Sequence, residues 1–297
     1  MPFIKISGKN IYYEIYGENN APVLVYLHGG PGASCLDFAN TAKSLGEQIK
    51  VVSFDQYGVL RSDEINEDEL YTMDIQTDMI DEMRRKLNIK RWSVLGHSYG
   101  GSLAVFYAYK YPDFVDKIIL ECPSLDFTDS AKSIAAYLSE YIYNLGDKTA
   151  ICLCEKIQSY NYQNSDVVVD ILNLLEYVKD MELRNYLHSI SFEQYLSSFS
   201  TVGISDDMWA KTESHLLKLI EDGAMTKNYL PVLKKLNKST LLLEGKYDPA
   251  CSDNQVVFIN NLPNASIVEF ENSGHFPRIE ESEKYVDTVL RFASTMI

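Results

Sequence analysis

The sequence predicts an α/β fold: short buried strands alternating with helices around a mostly parallel sheet, with a helical cap inserted late in the chain. Three observations carry this reading. Pro22–Leu27 is nearly continuous in apolar residues, as a strand covered on both faces must be. Residues 91–111 run from an apolar approach through the small-residue turn Gly96-His97-Ser98-Tyr99-Gly100 straight into helical periodicity. Between about Leu125 and Asn237 helical faces replace the strand-and-helix rhythm, over too long a stretch for an ordinary loop.

Taken in order, residues 3–7 and 11–16 alternate apolar and polar side chains around Gly8-Lys9-Asn10 and predict an opening hairpin. Strand 22–27 enters His28-Gly29-Gly30-Pro31-Gly32, at the carboxyl end where α/β sheets hold their ligands. A helix over 38–49, a strand over 50–55 and the polar loop 56–63 follow. Ile75, Met79, Met83 and Leu87 recur every four residues and mark one face of a helix over 72–87. The turn at Ser98 starts a helix stopped near Pro112, and 115–121 is the next strand.

In the helical stretch, Ile134, Tyr137, Leu138, Tyr141 and Leu145 give one buried face, and Val168, Ile171, Leu172, Leu175 and Val178 another. The aromatic residues there, Tyr137, Tyr141, Tyr143, Tyr160, Tyr162, Phe192, Tyr195, Phe199 and Trp209, read mainly as cap core, with one or two facing a cleft. The rhythm resumes with strand 239–244, a helix near 252–262, strand 266–270 and a final helix over 281–294. The division is a core in two parts, 1–124 and 238–297, around a cap at 125–237.

Composition narrows the function classes. The 297-residue chain has 27 basic and 42 acidic residues, a net charge of -15, so it would repel a nucleic-acid backbone. It shows neither the apolar run of a leader nor a span of 18 uncharged apolar residues, which argues against a membrane partner. Cys35, Cys122, Cys152, Cys154 and Cys251 are odd in number and scattered, as expected of reduced thiols in the cytoplasm. Cys152 and Cys154 lack the companions a metal site needs, and no nucleotide-binding glycine loop is present.

The chemistry gathers at strand ends. Gly96-His97-Ser98-Tyr99-Gly100 fits G-x-S-x-G, a sharp strand-to-helix bend that exposes a serine hydroxyl. Asp248 follows strand 240–244 after a glycine-containing turn, and His275 follows strand 266–270 likewise, so all three project from one sheet edge. In the order Ser98, Asp248, His275 they read as nucleophile, orienting acid and general base. The N–H groups of Tyr99 and Gly30, with Gly29 as second choice, are the expected oxyanion donors. His28 is expected to brace the glycine loop and His97 to pack or reach the cleft rim, while His188 and His215 read as structural or exposed.

With these residues together, the sequence resembles the α/β-hydrolase superfamily and, within it, the proline iminopeptidase branch. HGGPG at 28–32, DQYGVLRSD at 55–63, GHSYGG at 96–101, GKYD at 245–248 and SGHF at 273–276 carry the resemblance. It implies an eight-stranded sheet with a helical cap, no metal or cofactor, and release of an N-terminal residue, often proline, from a short peptide. It also implies carboxylates that hold the free amine, for which Glu213 and Glu244, then Glu121 and Glu193, are candidates. The chain departs from the branch at Leu60, where a glycine is usual, at His97, where a second glycine is common, and at Pro249, where an acid often follows the catalytic aspartate. An esterase, lactonase or amidase acting on a small non-peptide substrate, or a binding protein that keeps the fold, therefore stays open beside the peptidase.

Overall fold

In the computed structural model, residues 2–30, 33–160, 166–178 and 186–294 are described. Strands β1 (Phe3–Ile6) and β2 (Lys9–Tyr16) form the opening hairpin, turned through Ser7 and Gly8 at φ 47° and 88°. They lead into β3 (Val23–Leu27), helix α1 (Ala39–Leu45), β4 (Lys50–Phe54), α2 (Met73–Lys86), β5 (Trp92–His97), α3 (Tyr99–Lys110) and β6 (Val115–Glu121). Among the described residues the cap helices α4 (Phe127–Leu145), α5 (Lys148–Ser159), α6 (Asp166–Glu176), α7 (Phe192–Ser197), α8 (Asp206–Glu221) and α9 (Leu230–Leu233) follow. The chain closes with β7 (Thr240–Gly245), α10 (Asp253–Asn260), β8 (Ala265–Phe270), α11 (Pro277–Glu280) and α12 (Ser282–Ser294).

The eight strands form one sheet in the order β1-β2-β4-β3-β5-β6-β7-β8, antiparallel only at the β1–β2 and β2–β4 pairings. Alternation along β3 sets the two cores. Val25 and Leu27 join the large cluster shared with α2, α3 and the cap, while Leu24 and Tyr26 join a second cluster with α1 and α12. This two-sided burial is why the central strands read as apolar runs.

The helices arise where expected, but two faces are turned. Of the row Ile75, Met79, Met83 and Leu87, only Met83 is fully buried; the buried face of α2 runs through Met73, Thr77, Ile80, Met83 and Arg84. Steps of four advance about 40° each around a helix, so such a row winds away from a flat contact. In α4 the buried residues include Ala131, Ile134, Ala135, Leu138 and Ile142, whereas Tyr137, Tyr141 and Leu145 are exposed. Alanines that permit close helix approach, not the larger tyrosines, face inward. In α6, Val167, Val168, Ile171 and Leu174 are buried, and Leu172 and Leu175 line the cavity described below. Of the aromatic residues expected in the cap core, Tyr160 and Tyr195 are buried, Tyr143 and Trp209 are exposed, and Tyr162 lies outside the described residues.

The two ends of the helical insertion are tied to each other, and the first of them to α10. Gln255 of α10 accepts from the peptide N–H groups of Leu125 and Asp126 at 2.7 and 3.1 Å, and Tyr229 N donates to Leu125 O at 2.7 Å. Among the described residues, none between β6 and β7 belongs to the sheet; Asp126 and Asn228 form an isolated bridge. No helix of the described residues is long and apolar enough to cross a membrane.

Candidate active site

Ser98 stands between β5 and α3 with φ 53° and ψ -122°, a conformation a side-chain-bearing residue rarely adopts. Crowding on both sides holds it there. A Cβ on Gly96 would lie 2.1 Å from Gly100 O, and one on Gly100 would lie 2.1 Å from Leu27 O. The backbone is tied by Ser98 N to Glu121 O at 3.0 Å and by Gly101 N to Ser98 O at 2.9 Å. The bend thus pushes the serine onto the wall of a cavity of about 460 Å³, shared with His275, Tyr99 and Gly30.

Asp248 and His275 meet beside it. The fully buried Asp248 carboxylate accepts from His275 Nδ1 at 2.8 Å, from Ala250 N at 2.9 Å and from Cys251 N at 3.1 Å. An ionised carboxylate only accepts, so the Nδ1 of His275 carries the proton and Nε2 is left as the basic nitrogen. The His275 peptide is fixed too: its N–H donates to Tyr186 O at 2.7 Å, and its carbonyl accepts from His97 Nε2 at 3.0 Å. The rings of Tyr186 and His97 pack against its imidazole at 5.1 and 4.6 Å.

The glycine loop is braced from beneath by His28, whose Nε2 accepts from Gln56 N at 2.9 Å and whose Nδ1 donates to Gly29 O at 2.8 Å. Burial pushes the His28 imidazole below its usual pKa, which preserves the bare nitrogen this arrangement needs. Gly30 takes φ 140° and lines the cavity; Gly29 backs directly onto Ser98, where a Cβ would come within 2.9 Å of the serine Cβ. Pro31 and Gly32 of the same loop lie outside the described residues. Tyr99 N–H opens α3 and has no acceptor within its own helix. His97 is buried, with its pKa driven well down by burial, and lies on the cavity wall. His215 is buried and bonded to Tyr57 O at 2.9 Å, and His188 stacks on Tyr247.

None of the four glutamates expected to hold an amine lines the cavity. Glu213 is exposed on α8, whose buried residues are His215 and Leu219. Glu244 sits half-buried on β7 directly across from Glu269 of β8. Burial first, then Glu269, Asp248 and Asp253, raises its pKa to about 7. Glu193 is exposed on α7, and Glu121 is fully buried in an ion pair with Arg278 Nη1 at 2.9 Å. The acidic residue on the cavity wall, among the described residues, is instead Asp37, which the sequence reading did not single out. It follows the glycine loop by only a few residues, which was the available signal. Arg278, three residues past His275, was missed for lack of any motif.

Most of the remaining wall is apolar, including Phe127, Ile134, Ile171, Leu175, Met225 and Phe276. Cys122, Asp248 and His275 place ligand-type atoms within 4.8 Å of one another. Burial pushes the Cys122 thiol well up, which keeps it protonated and makes it a packing neighbour of the acid.

Comparison with known proteins agrees with this architecture. A family model described as the alpha/beta hydrolase fold matches residues 22–145. The chain is 29% identical over 294 residues to a proline iminopeptidase of Saccharolobus solfataricus, covering 97% of this chain and 90% of the relative. It is 25% identical to one of Heyndrickxia coagulans, covering 99% and 98%. Among solved structures, a proline iminopeptidase-related protein of Thermus thermophilus superposes with a TM-score of 0.75 at 19% identity, covering 98% of this chain and 96% of that one. An esterase of Exiguobacterium antarcticum gives 0.68 at 20% identity, covering 99% of both chains. The chain is thus similar to proteins of the alpha/beta-hydrolase superfamily. Within that superfamily it resembles the proline iminopeptidase branch.

Proposed function

We propose that the protein is a serine hydrolase acting through an acyl-enzyme, an aminopeptidase that releases N-terminal proline or another small residue from short peptides. The observation that carries this reading is Ser98, strained onto the wall of one cavity with a His275 whose Nδ1 is engaged by Asp248. Neutral His275 takes the Ser98 proton through Nε2 as Oγ attacks the acyl carbon, and Asp248 stabilises the imidazolium that forms. The oxyanion falls between the N–H groups of Tyr99 and Gly30, each such donor contributing about 3 kcal/mol to the transition state. His275 returns the proton to the leaving amine, and water repeats the sequence to free the acyl group.

The peptidase form draws support from full-length relatives named proline iminopeptidases and from apolar walls that suit a pyrrolidine ring or small side chain. In this reading the cap, 125–237, covers the sheet edge of a core formed by 1–124 and 238–297. The free cysteines, all but Cys152 buried, fit a cytoplasmic enzyme. A second reading, an esterase or lactonase for a small apolar acyl group, is favoured by how few charged residues line the cavity.

The deciding experiment compares kcat/KM on prolyl, alanyl and leucyl anilides with short acyl esters. Preference for a free-amine anilide is expected; turnover of esters alone removes the peptidase. Ser98→Ala is expected to abolish hydrolysis with the fold intact, and undiminished turnover by it would sink the mechanism.

A further inference from the structure

We propose that Glu280 is a positioning residue for His275, an inference that rests on the serine-hydrolase reading above. Glu280 ends the one-turn helix α11, which follows His275 closely and turns back on the loop that carries it. Its carboxylate gathers three peptide N–H groups. Oε2 accepts from Gly274 N at 2.7 Å, and Oε1 accepts from His188 N at 2.6 Å and from Ser189 N at 2.8 Å. One arm thus holds the backbone entering His275, and the other holds the cap. Hydrogen bonds to a carboxylate at such lengths are the stronger kind.

The same stretch of cap also meets the loop directly. His275 N donates to Tyr186 O at 2.7 Å, and a Cβ on Gly274 would come within 2.4 Å of that oxygen. The consecutive N–H groups of Gly274 and His275 are therefore both oriented by the cap, the first through Glu280 and the second without an intermediary. His188 stacks on Tyr247, with ring centroids 3.5 Å apart and planes 9° apart, next in sequence to Asp248. Tyr247 N in turn donates to Ser273 O at 3.0 Å, which links the two late loops.

What this clasp fixes is the backbone from which the imidazole hangs. The bond from Nδ1 to Asp248 at 2.8 Å sets one edge of the ring, and the loop backbone sets how Nε2 approaches the Ser98 hydroxyl. Small misplacements of a reacting group cost much of its rate. The adjacent Glu281 accepts from Asn272 N at 2.9 Å and Ser273 Oγ at 2.8 Å, so those bonds stay within the loop and do not reach the cap. Glutamine has one acceptor oxygen where glutamate has two, so at position 280 it can serve the loop or the cap and not both.

The test counts competent sites and turnover separately. Titration to completion with a fluorophosphonate, which bonds to the Ser98 oxygen and releases fluoride, gives the concentration of sites; kcat and KM are then measured on L-prolyl anilide and a short acyl ester. Glu280→Ala is expected to lower kcat per labelled site about 100-fold on every substrate the native chain turns over, with KM changed by no more than about two-fold. Glu280→Gln, which keeps one arm, is expected to fall between that variant and the native chain. A kcat per labelled site within about three-fold of native in Glu280→Ala, or a loss in both variants that lies wholly in KM or in the number of labelled sites, makes the residue structural and overturns the assignment. A native chain that takes up no label at Ser98 would instead remove the hydrolase reading, a result told apart because it appears before any substitution.

Discussion

The strain at Ser98 can be weighed by removing its Cβ. At φ 53° and ψ -122° a side-chain-bearing residue pays about 1–3 kcal/mol, which glycine avoids. Glycine returns about 0.5–1 kcal/mol of this through the greater freedom of the unfolded chain. Ser98→Gly is therefore expected to be about 1 kcal/mol more stable than Ser98→Ala, which keeps the Cβ and the strain. Both variants lack the hydroxyl, so activity does not separate them and stability alone is read. In a chain of this size 1 kcal/mol moves the melting temperature by about 2 °C. Paired urea and thermal unfolding of the two variants provides the assay. A glycine variant equal to or weaker than the alanine variant would show that the bend stores no strain at this residue, and the account of the turn would fail.

Three further outcomes follow from the same structure. Gly100→Ala is expected to cost about 3 kcal/mol, because its Cβ would meet Leu27 O at 2.1 Å and backbone has little room to yield; unfolding midpoints give the value. Leu60 is buried at φ 35° beside Leu36 and Val59, with the cap residues Phe199, Ile204 and Met208 packed on the cluster. Leu60→Ala is expected to lose about 3 kcal/mol, and Leu60→Gly about 1 kcal/mol less despite removing more, since glycine relieves the backbone; the reverse order in denaturant titration would refute this. Glu244, with its pKa raised to about 7, keeps in the folded state a proton that the unfolded chain releases near 4.5. Its contribution to stability therefore falls as pH rises from 4.5 to about 7, a window that follows from the raised value. After allowance for solvent screening at a half-exposed group, Glu244→Gln is expected to gain about 1 kcal/mol over the native chain at about pH 8 and nothing at about pH 4.

The departures from the branch pattern have local explanations. Where relatives in the branch usually carry glycine, Leu60 accepts positive φ and fills the small cluster under the cap. His97, in place of a second glycine, donates to the His275 carbonyl and packs on its ring, so it supports the histidine loop from below. Neither role could be read from the motif alone, because each depends on a partner far along the chain.

Local patterns were enough for the strands, the turn at Ser98, the two late loops and the helical interruption. Each of these depends on short-range rules: apolar runs for buried strands, glycines where a backbone must bend, and periodicity for helices. The chain alone also determined that Ser98, Asp248 and His275 leave the sheet at one edge, since parallel strands in succession share a direction. It could not determine which carboxylate meets the cavity. Four glutamates were plausible in so acidic a chain, and folding took all of them elsewhere, to solvent, to the β7–β8 pair or to the Arg278 cluster. Asp37 stands on the wall with one oxygen held by Arg278 and Tyr195, both far away in sequence, and with the other buried. Such selection is a balance of burial cost against long-range pairing, and that balance exists only once the tertiary structure has formed.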